Sequence, residues 1–270
     1  MHFFFSFLFF FAGFAATAQV FMRPTNNAAA MALGDAGVAY PGTGLGISNE
    51  AVAGLGDQYG LFASSALPFG ITDWQTARFQ GFTRLNANSG FGLDAASSGI
   101  EAYQEQSLSL LYGRRLAEKL FLGGSVAVLR MSAQEYGTLN NATFSIGVLA
   151  HALPKVWIGA RISNPVQQEV AGNTLPTVLR IGMAWKPSEV LILLAETEKD
   201  LERATQVKAG MEYRPLAPLI LRAGMRSGRA GRVSFGAGFQ LKSGLSLHAA
   251  TEWHPILGFT PAAMVAWQKK

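Results

Sequence analysis

The feature that most constrains the fold is an alternation of apolar and polar residues with a period of two. In TVLRIGMAWK, residues 177–186, every second position up to Trp185 faces one way, and Arg180 and Lys186 face the other. Similar alternation occurs in six further segments: 76–85, 155–164, 204–214, 219–226, 232–242 and 245–254. This period predicts β-strands that each have one apolar and one polar face.

Turn-forming residues separate these segments at short intervals, as at Pro187-Ser188, Ser227-Gly228 and Ser243-Gly244. Between Tyr59 and Gln268 the pattern predicts about 14 strands, with about 12 as the alternative. We therefore predict an all-β fold, an antiparallel transmembrane β-barrel with an N-terminal hatch segment inside its lumen.

A soluble sandwich or propeller shares this alternation, but three observations favour the barrel. The polar strand faces are rich in glycine and small residues beside charged ones, as a filled lumen requires. Aromatic residues lie near the segment ends on the apolar side, where a membrane interface would place them, namely Trp185, Tyr213, Trp253 and Trp267. A signal peptide, predicted over residues 1–18, supplies the route to the outer membrane. In addition, the charged fraction of 14% is below the ~25% usual for soluble domains, which indicates that part of the surface does not face water. The expected partner of the apolar face is outer-membrane lipid.

The N-terminus reads as a secretory signal peptide over residues 1–18, with an apolar core from Phe3 to Phe14 and small residues at Ala16-Thr17-Ala18. A buried N-terminal helix or a membrane anchor is the alternative. The predicted organisation is a signal peptide at 1–18, a hatch at 19–57 and a barrel at 58–270. The predicted location is the outer membrane of a didermic bacterium.

The hatch prediction concerns a glycine-rich run, AMALGDAGVAYPGTGLGISNEAVAGLGD. No lysine follows its glycines as a Walker loop requires, and the glycines at 42, 44 and 46 lack the offset of a dinucleotide fingerprint. Glycine and alanine instead allow an irregular segment to pack closely inside a barrel. A short helix capped by Asn26 or Asn27 can begin the run. The hatch candidates are Gly34, Gly37, Gly42, Gly44, Gly46, Asn49 and Glu50.

Charged residues on the polar strand faces predict a ladder of ion pairs in the lumen. We expect Glu196 or Glu212 to pair with Arg180, Lys208 or Arg222 across neighbouring strands. The full set of candidates is Arg78, Arg84, Arg161, Arg180, Glu196, Lys208, Glu212, Arg222 and Glu252.

The sequence gives little indication of an enzymatic site. Ser246, His248 and Glu252 share a strand face, but nothing marks the serine as an activated nucleophile, and lumen hydrogen bonding is the preferred interpretation. His248, Glu252 and His254 form only a weak metal cluster. We predict no catalytic residues, no cofactor and no metal. The basic residues are scattered within a net charge of +5, so no nucleic-acid partner is expected.

Several motifs in order along the chain resemble the PorV/PorQ-type outer-membrane proteins, relatives of the FadL long-chain fatty-acid transporter family. They include NNAAAMALGDAGVA, NEAVAGLGD, IGARISNPVQ, LPTVLRIGMAWKP and LILRAGMRSGRAGRVSFGAGF. The resemblance implies a 14-stranded barrel whose N-terminal segment folds inward. Members usually carry Asn-Pro-Ala-Gly-Leu after the glycine run, whereas here Glu50 replaces the proline and a Val-Ala insertion precedes Gly54.

Two functions follow from this resemblance. The first is a non-enzymatic accessory barrel of type IX-like protein secretion or surface assembly, with a translocon or secreted cargo as its partner. The alternative is a FadL-like passive transporter of hydrophobic small molecules. The small and charged character of the inferred lumen face, together with the short chain, favours the accessory role.

Overall fold

The computed structural model describes residues 27–55, 58–135, 137–166, 169–170, 173–228 and 230–269. The predicted signal peptide and the first residues of the predicted hatch lie outside these ranges. Among the described residues, no helix is long and apolar enough to cross a membrane.

Fourteen of the sixteen described strands form one closed antiparallel barrel. The predicted all-β barrel of about 14 strands is therefore confirmed. The strands, in chain order, are β1 Tyr59–Ala66, β2 Gln75–Asn86, β3 Ser89–Ile100, β4 Tyr103–Ala117, β5 Leu120–Ala133, β6 Gly137–Leu153, β7 Val156–Ser163, β8 Glu169–Val170, β9 Asn173–Thr174, β10 Val178–Ser188, β11 Leu191–Asp200, β12 Gln206–Leu216, β13 Leu219–Arg226, β14 Arg232–Gln240, β15 Leu245–His254 and β16 Gly258–Lys269. The short strands β8 and β9 pair with each other in the connection between β7 and β10.

Closure is made by the first and last strands. They pair without a break from Tyr59 opposite Lys269 to Ala66 opposite Ala262. Every other barrel strand pairs with its neighbours along the chain, and β7 pairs with β10 across the β8–β9 connection. A closed sheet leaves no edge strand with unpaired backbone groups, which is the condition for a sheet to reside in lipid.

The barrel has two different ends. At one end, called here the turn end, short connections join β2 to β3, β4 to β5, β6 to β7, β10 to β11, β12 to β13, and β14 to β15. The opposite, loop end carries the longer β1–β2 and β7–β10 connections. Strands β4, β5 and β6 are 15, 14 and 17 residues long, and the other barrel strands have 12 or fewer.

The outward face of the wall is apolar. Many of the large hydrophobic side chains that face outward along the strands are 38% exposed or more, and they include the four aromatic residues predicted to lie at a membrane interface. Trp185, Tyr213 and Trp267 lie near the turn end, and Trp253 lies near the loop end. An apolar exterior with aromatic residues near both ends is typical of a lipid-facing barrel wall.

The N-terminal segment, defined here as residues 27–55, contacts the inward-facing side chains of the wall. It contains one short helix, α1 Ala28–Met31, and a 3₁₀ helix, Glu50–Gly54. The carboxamide oxygen of Asn27 caps α1 by accepting a hydrogen bond from the Ala30 N–H, which confirms one of the two predicted caps. Most of this segment is buried.

Candidate functional site in the barrel interior

Six inward-facing glycines of the wall touch the backbone of the N-terminal segment. A β-carbon on Gly113 would lie 2.7 Å from the Glu50 carbonyl oxygen, and one on Gly210 would lie 2.8 Å from the Leu33 carbonyl oxygen. Any larger residue would therefore separate the segment from the wall. We call these residues the glycine belt: Gly90, Gly113, Gly123, Gly159, Gly210 and Gly224.

Two glycines of the segment itself have backbone conformations that suit glycine. Gly34 has φ +64°, and a β-carbon there would lie 2.6 Å from the Met225 carbonyl oxygen. Gly46 has φ +66°, and its missing side chain leaves space for the carboxamide of Gln80. Both positions therefore combine left-handed backbone with close approach to the wall.

One cluster of charges holds residues 35–38 of the segment, which follow α1. The Glu196 carboxylate accepts hydrogen bonds from the backbone N–H groups of Gly37 and Val38, both at 2.9 Å. The Arg180 guanidinium donates to Glu196 and also to the Asp35 carbonyl oxygen. Lys208 lies 3.4 Å from Glu196 and pairs more closely with Glu198, at 2.6 Å. Buried charges that are paired and hydrogen-bonded in this way avoid most of the penalty of an isolated ion.

A second cluster surrounds Tyr40. Its hydroxyl donates to the Glu212 carboxylate, with oxygen–oxygen distances of 2.9 and 3.0 Å. Arg222 and Arg214 donate to the same carboxylate at 2.8 and 2.7 Å. Burial, followed by the negative charge of Glu212, raises the pKa of the Tyr40 phenol above its ordinary value. The phenol thus stays protonated and remains a donor at neutral pH.

A third cluster holds the 3₁₀ helix Glu50–Gly54. The Glu50 carboxylate is 2% exposed and accepts hydrogen bonds from Arg161 at 2.8 to 3.0 Å. Ser125 donates to it at 3.1 Å. The Asn49 carboxamide nitrogen donates to the Val38 carbonyl oxygen and contacts the Val148 carbonyl oxygen at 3.0 Å. Glu50, the residue that departs from the pattern of the predicted PorV/PorQ resemblance, is thus an ion-pair partner of the wall.

Further polar contacts hold the start and middle of the segment. Asp35 pairs with Arg226 at 3.0 Å, and Arg226 also donates to Glu252 at 2.7 Å. Asn27 donates to the Gln80 carboxamide oxygen at 3.1 Å. Hydrogen bonds or ion pairs therefore join the segment to strands that run most of the way round the wall. These strands are β2, β6, β7, β10, β11, β12 and β13.

The structure distributes the predicted lumen residues among these clusters. Arg180, Glu196 and Lys208 form one, Glu212 and Arg222 another, and Arg161 joins Glu50. Glu252 pairs with Arg226 and Arg232, and Arg78 pairs with Asp94. Arg84 is exposed near the turn end of β2. Among the hatch candidates, Gly42 and Gly44 are only half-buried, beside the Tyr40 ring.

Sequence reasoning missed several residues that join the segment to the wall, above all Asp35, Tyr40 and Gln80. Asp94 and Arg226 could have been added to the ladder, because each faces inward by the same alternation that identified Arg180. For Asp35 and Tyr40 no periodic signal exists, since both lie in irregular backbone.

The Ser246–His248 pair lacks the geometry of a nucleophile and its base. His248 Nε2 lies 3.0 Å from the Ser246 hydroxyl, and His248 Nδ1 lies 2.9 Å from an Arg222 guanidinium nitrogen. Because the guanidinium can only donate, Nδ1 must accept and Nε2 must carry the proton. A protonated Nε2 cannot take a proton from serine. Within the described part of the chain, no group of three or more acidic or histidine side chains could hold a metal.

One apolar cluster of the interior lies near the loop end and is separate from the core that the N-terminal segment forms with the wall. Ala127, Leu129 and Met131 face inward at successive positions of β5, and Leu175 from the β7–β10 connection packs on them. The ring of Tyr103 borders this group. We call these five residues the apolar patch. The glycine belt meets the same strand at Gly123, eight positions nearer the turn end than Met131, so on β5 the patch lies nearer the loop end than this contact with the segment.

Comparisons with known proteins address the fold. No protein-family model matches the sequence, and a search of curated proteins found no match. The Pseudomonas putida toluene transporter TodX matches with a TM-score of 0.67 and 14% identity over 93% of this chain and 100% of that chain. A Pseudomonas aeruginosa FadL homologue matches with a TM-score of 0.66 and 12% identity, over 92% of this chain and 96% of that one. The monoaromatic hydrocarbon channel CymD matches with a TM-score of 0.65 and 10% identity, over 90% and 97%.

These matches show that the chain has the fold of FadL-like barrels. The part of the predicted resemblance that concerns FadL is thus confirmed at the level of fold, and the PorV/PorQ type stays a prediction. By their descriptions, CymD is a monoaromatic hydrocarbon channel and TodX is a toluene transporter.

Proposed function

We propose that the protein is an outer-membrane barrel that admits a small hydrophobic solute, with residues 19–57 as its hatch. The closed wall, the apolar exterior and the aromatic residues near both ends support the membrane location. The hydrocarbon channels with the same fold support transport, the second of the two functions that the sequence predicts.

The apolar patch is the single observation on which the solute class depends. Elsewhere the large apolar side chains of the described inner wall pack in one core with the N-terminal segment, as Phe62, Leu194 and Met264 do. Much of the remaining inner wall bears ion pairs, glycine or small side chains, and such a surface binds a hydrophobic molecule poorly. At the patch, three apolar side chains lie side by side on β5, and Leu175 and the tyrosine ring pack against them. A small apolar or aromatic molecule that displaces Leu175 would bury its surface against the same side chains.

Uptake by whole cells tests this proposal. The host is a didermic bacterium that lacks its own hydrophobic-solute channels, and the solutes are radiolabelled toluene and a long-chain fatty acid. Met131→Glu places a charge in the patch and should reduce uptake to the background of empty cells. Leu201→Glu makes the same kind of change at an exposed position of the loop end and should leave uptake unchanged. Equal uptake by cells with and without the wild-type barrel would contradict transport.

Movement of the hatch can be tested separately because the sequence has no cysteine. The Thr43 hydroxyl accepts a hydrogen bond from the Gln268 carboxamide at 2.8 Å, which joins the segment to β16. Thr43→Cys with Gln268→Cys, bridged by a short reducible bis-thiosulfonate, should block uptake, and reduction should restore it. Each single variant treated alike is the control. Undiminished uptake in the bridged protein would show that the solute passes without displacement of this part of the segment.

A second candidate, an accessory barrel of protein secretion, is supported by one observation. The N-terminal segment is held by buried ion pairs at Asp35 and Glu50, and by glutamates of the wall. A segment held by several buried ion pairs suits a barrel that stays closed and serves as a docking partner for other proteins. Co-purification of a translocon or secreted cargo, combined with absence of uptake, would favour this function over transport.

A further inference from the structure

The outward face of the wall has a groove with a volume of about 1040 Å³. It runs across β15, β16 and β1 to β5, and thirteen of its nineteen lining residues face outward by the strand alternation. Most of its floor consists of small outward side chains between larger ones. These small residues are Ala63, Ser65, Ala77, Ala95, Ser97 and Ala263.

The groove is an indentation of the wall and not a gap in it. Behind it, backbone pairing continues from Ser64 opposite Arg78 to Arg78 opposite Ala96 and Ala96 opposite Ser107. Large apolar side chains form its sides, including Leu108, 50% exposed, and Val128, 53% exposed. Such a trough on a lipid-facing wall can bury a hydrocarbon chain along more of its length than a flat wall can.

The end of the groove at β4 and β5 is polar. Arg130 and Gln106 line it, and they face each other directly across the two strands. Asn140 faces Arg130 from β6, so one guanidinium lies between two carboxamides on the outward side. All three side chains are exposed, and within the described residues Arg130 has no ion-pair partner.

Gln106, Arg130 and Asn140 form a polar row, and at this row the outward face of β4 and β5 changes from apolar to polar. On the turn-end side of the row, the outward residues are the apolar Leu108 and Val128; on the loop-end side they are polar, among them Gln104 and Ser132. Such a change marks the level of the lipid headgroups. A guanidinium with neighbouring amide donors at that level has the chemistry that binds a phosphate.

We propose that the groove binds an anionic phospholipid, with an acyl chain over the small residues and the phosphate on Arg130, Gln106 and Asn140. The apolar trough alone would accept any acyl chain, and the arginine at its polar end selects an anionic headgroup. The inference rests on the membrane location proposed above, but it does not depend on transport.

The test is lipid retention by the purified, delipidated barrel in detergent, measured by native mass spectrometry. The probes are phosphatidylglycerol, phosphatidylcholine with the same chains, and inorganic phosphate. Wild type should retain phosphatidylglycerol over phosphatidylcholine by about tenfold, the ratio expected for one hydrogen-bonded charge contact. Arg130→Gln should abolish this preference. Arg114→Gln is the matched control, because Arg114 also faces outward and is exposed on β4 but does not line the groove.

A second pair of variants tests the chain-binding part. Ala95→Phe fills the floor of the groove and should lower retention of both lipids, whereas Ala209→Phe makes the same change on an outward position of β12 outside the groove. Heat-modifiable migration in gel electrophoresis shows that each variant folds. Equal retention of the two lipids by wild type, binding of inorganic phosphate without retention of either lipid, or unchanged retention in Ala95→Phe would each overturn the proposal. Whole-cell uptake by Arg130→Gln reports on transport independently.

Discussion

At the scale of single residues, Glu50 shows how the interior of this barrel depends on pairing. Its carboxylate is buried, and its partners are Arg161 and Ser125. We expect Arg161→Ala to destabilise the fold by about 3 kcal/mol, because the carboxylate would remain buried without its counter-charge. Unfolding in urea followed by tryptophan fluorescence measures the change. The double variant Glu50→Gln with Arg161→Gln should recover part of the loss, and equal losses in single and double variants would contradict this account.

The Tyr40 phenol links stability to pH. Because burial raises its pKa above the ordinary value near 10, the phenol is protonated in the folded state, and its contribution is complete below pH 10. Above that pH the unfolded chain ionises first, so the contribution falls as pH rises. The difference in unfolding free energy between wild type and Tyr40→Phe should therefore be constant from pH 7 to about pH 10 and shrink at higher pH. A difference that grew with pH would contradict the burial of a neutral phenol.

Gly123 and Gly124 offer a matched comparison on one strand. A β-carbon on Gly123 would lie 2.5 Å from the Ala51 nitrogen, whereas one on Gly124 would meet nothing closer than 3.6 Å. We expect Gly123→Ala to make the N-terminal segment accessible to protease in the folded barrel, since backbone must move. Gly124→Ala should leave digestion unchanged. Identical digestion patterns for the two variants would show that the belt does not hold the segment.

At the scale of elements, the strands and the N-terminal segment form for different reasons. Strands follow from alternation, so Arg180, Lys208 and Glu212 could be assigned to the lumen from the sequence alone. The segment has only four α-helical residues, Ala28–Met31, and its conformation depends on contacts with distant strands. This is why Asp35 and Tyr40 escaped prediction, although the cap at Asn27 did not.

A peptide of residues 27–55 tests this dependence. Its longest α-helix is far shorter than the ~12 residues an isolated helix needs, so its circular dichroism in water should be that of a disordered chain. Stable helical or strand signal in the free peptide would show that the segment folds on its own.

At the scale of the whole molecule, the closed barrel predicts a characteristic electrophoretic behaviour. A barrel without edge strands resists detergent, so an unheated sample should migrate faster than a boiled one and should fractionate with the outer membrane. Recovery of the protein as a soluble periplasmic species would contradict the membrane location. The architecture was predictable because the apolar period repeats around the entire wall. The apolar patch was not, because Leu175 and β5 meet only through the β7–β10 connection.

The contacts of the N-terminal segment with the first and last strands also affect how the protein is assembled. The N-terminal segment precedes every strand in the chain, yet its contacts include side chains of β1 and of β16, at Ser64 and Gln268. Its binding surface therefore becomes complete only when the first and last strands meet. We therefore expect the segment to dock only as the barrel closes, so that barrel closure and docking of the segment form one cooperative folding step.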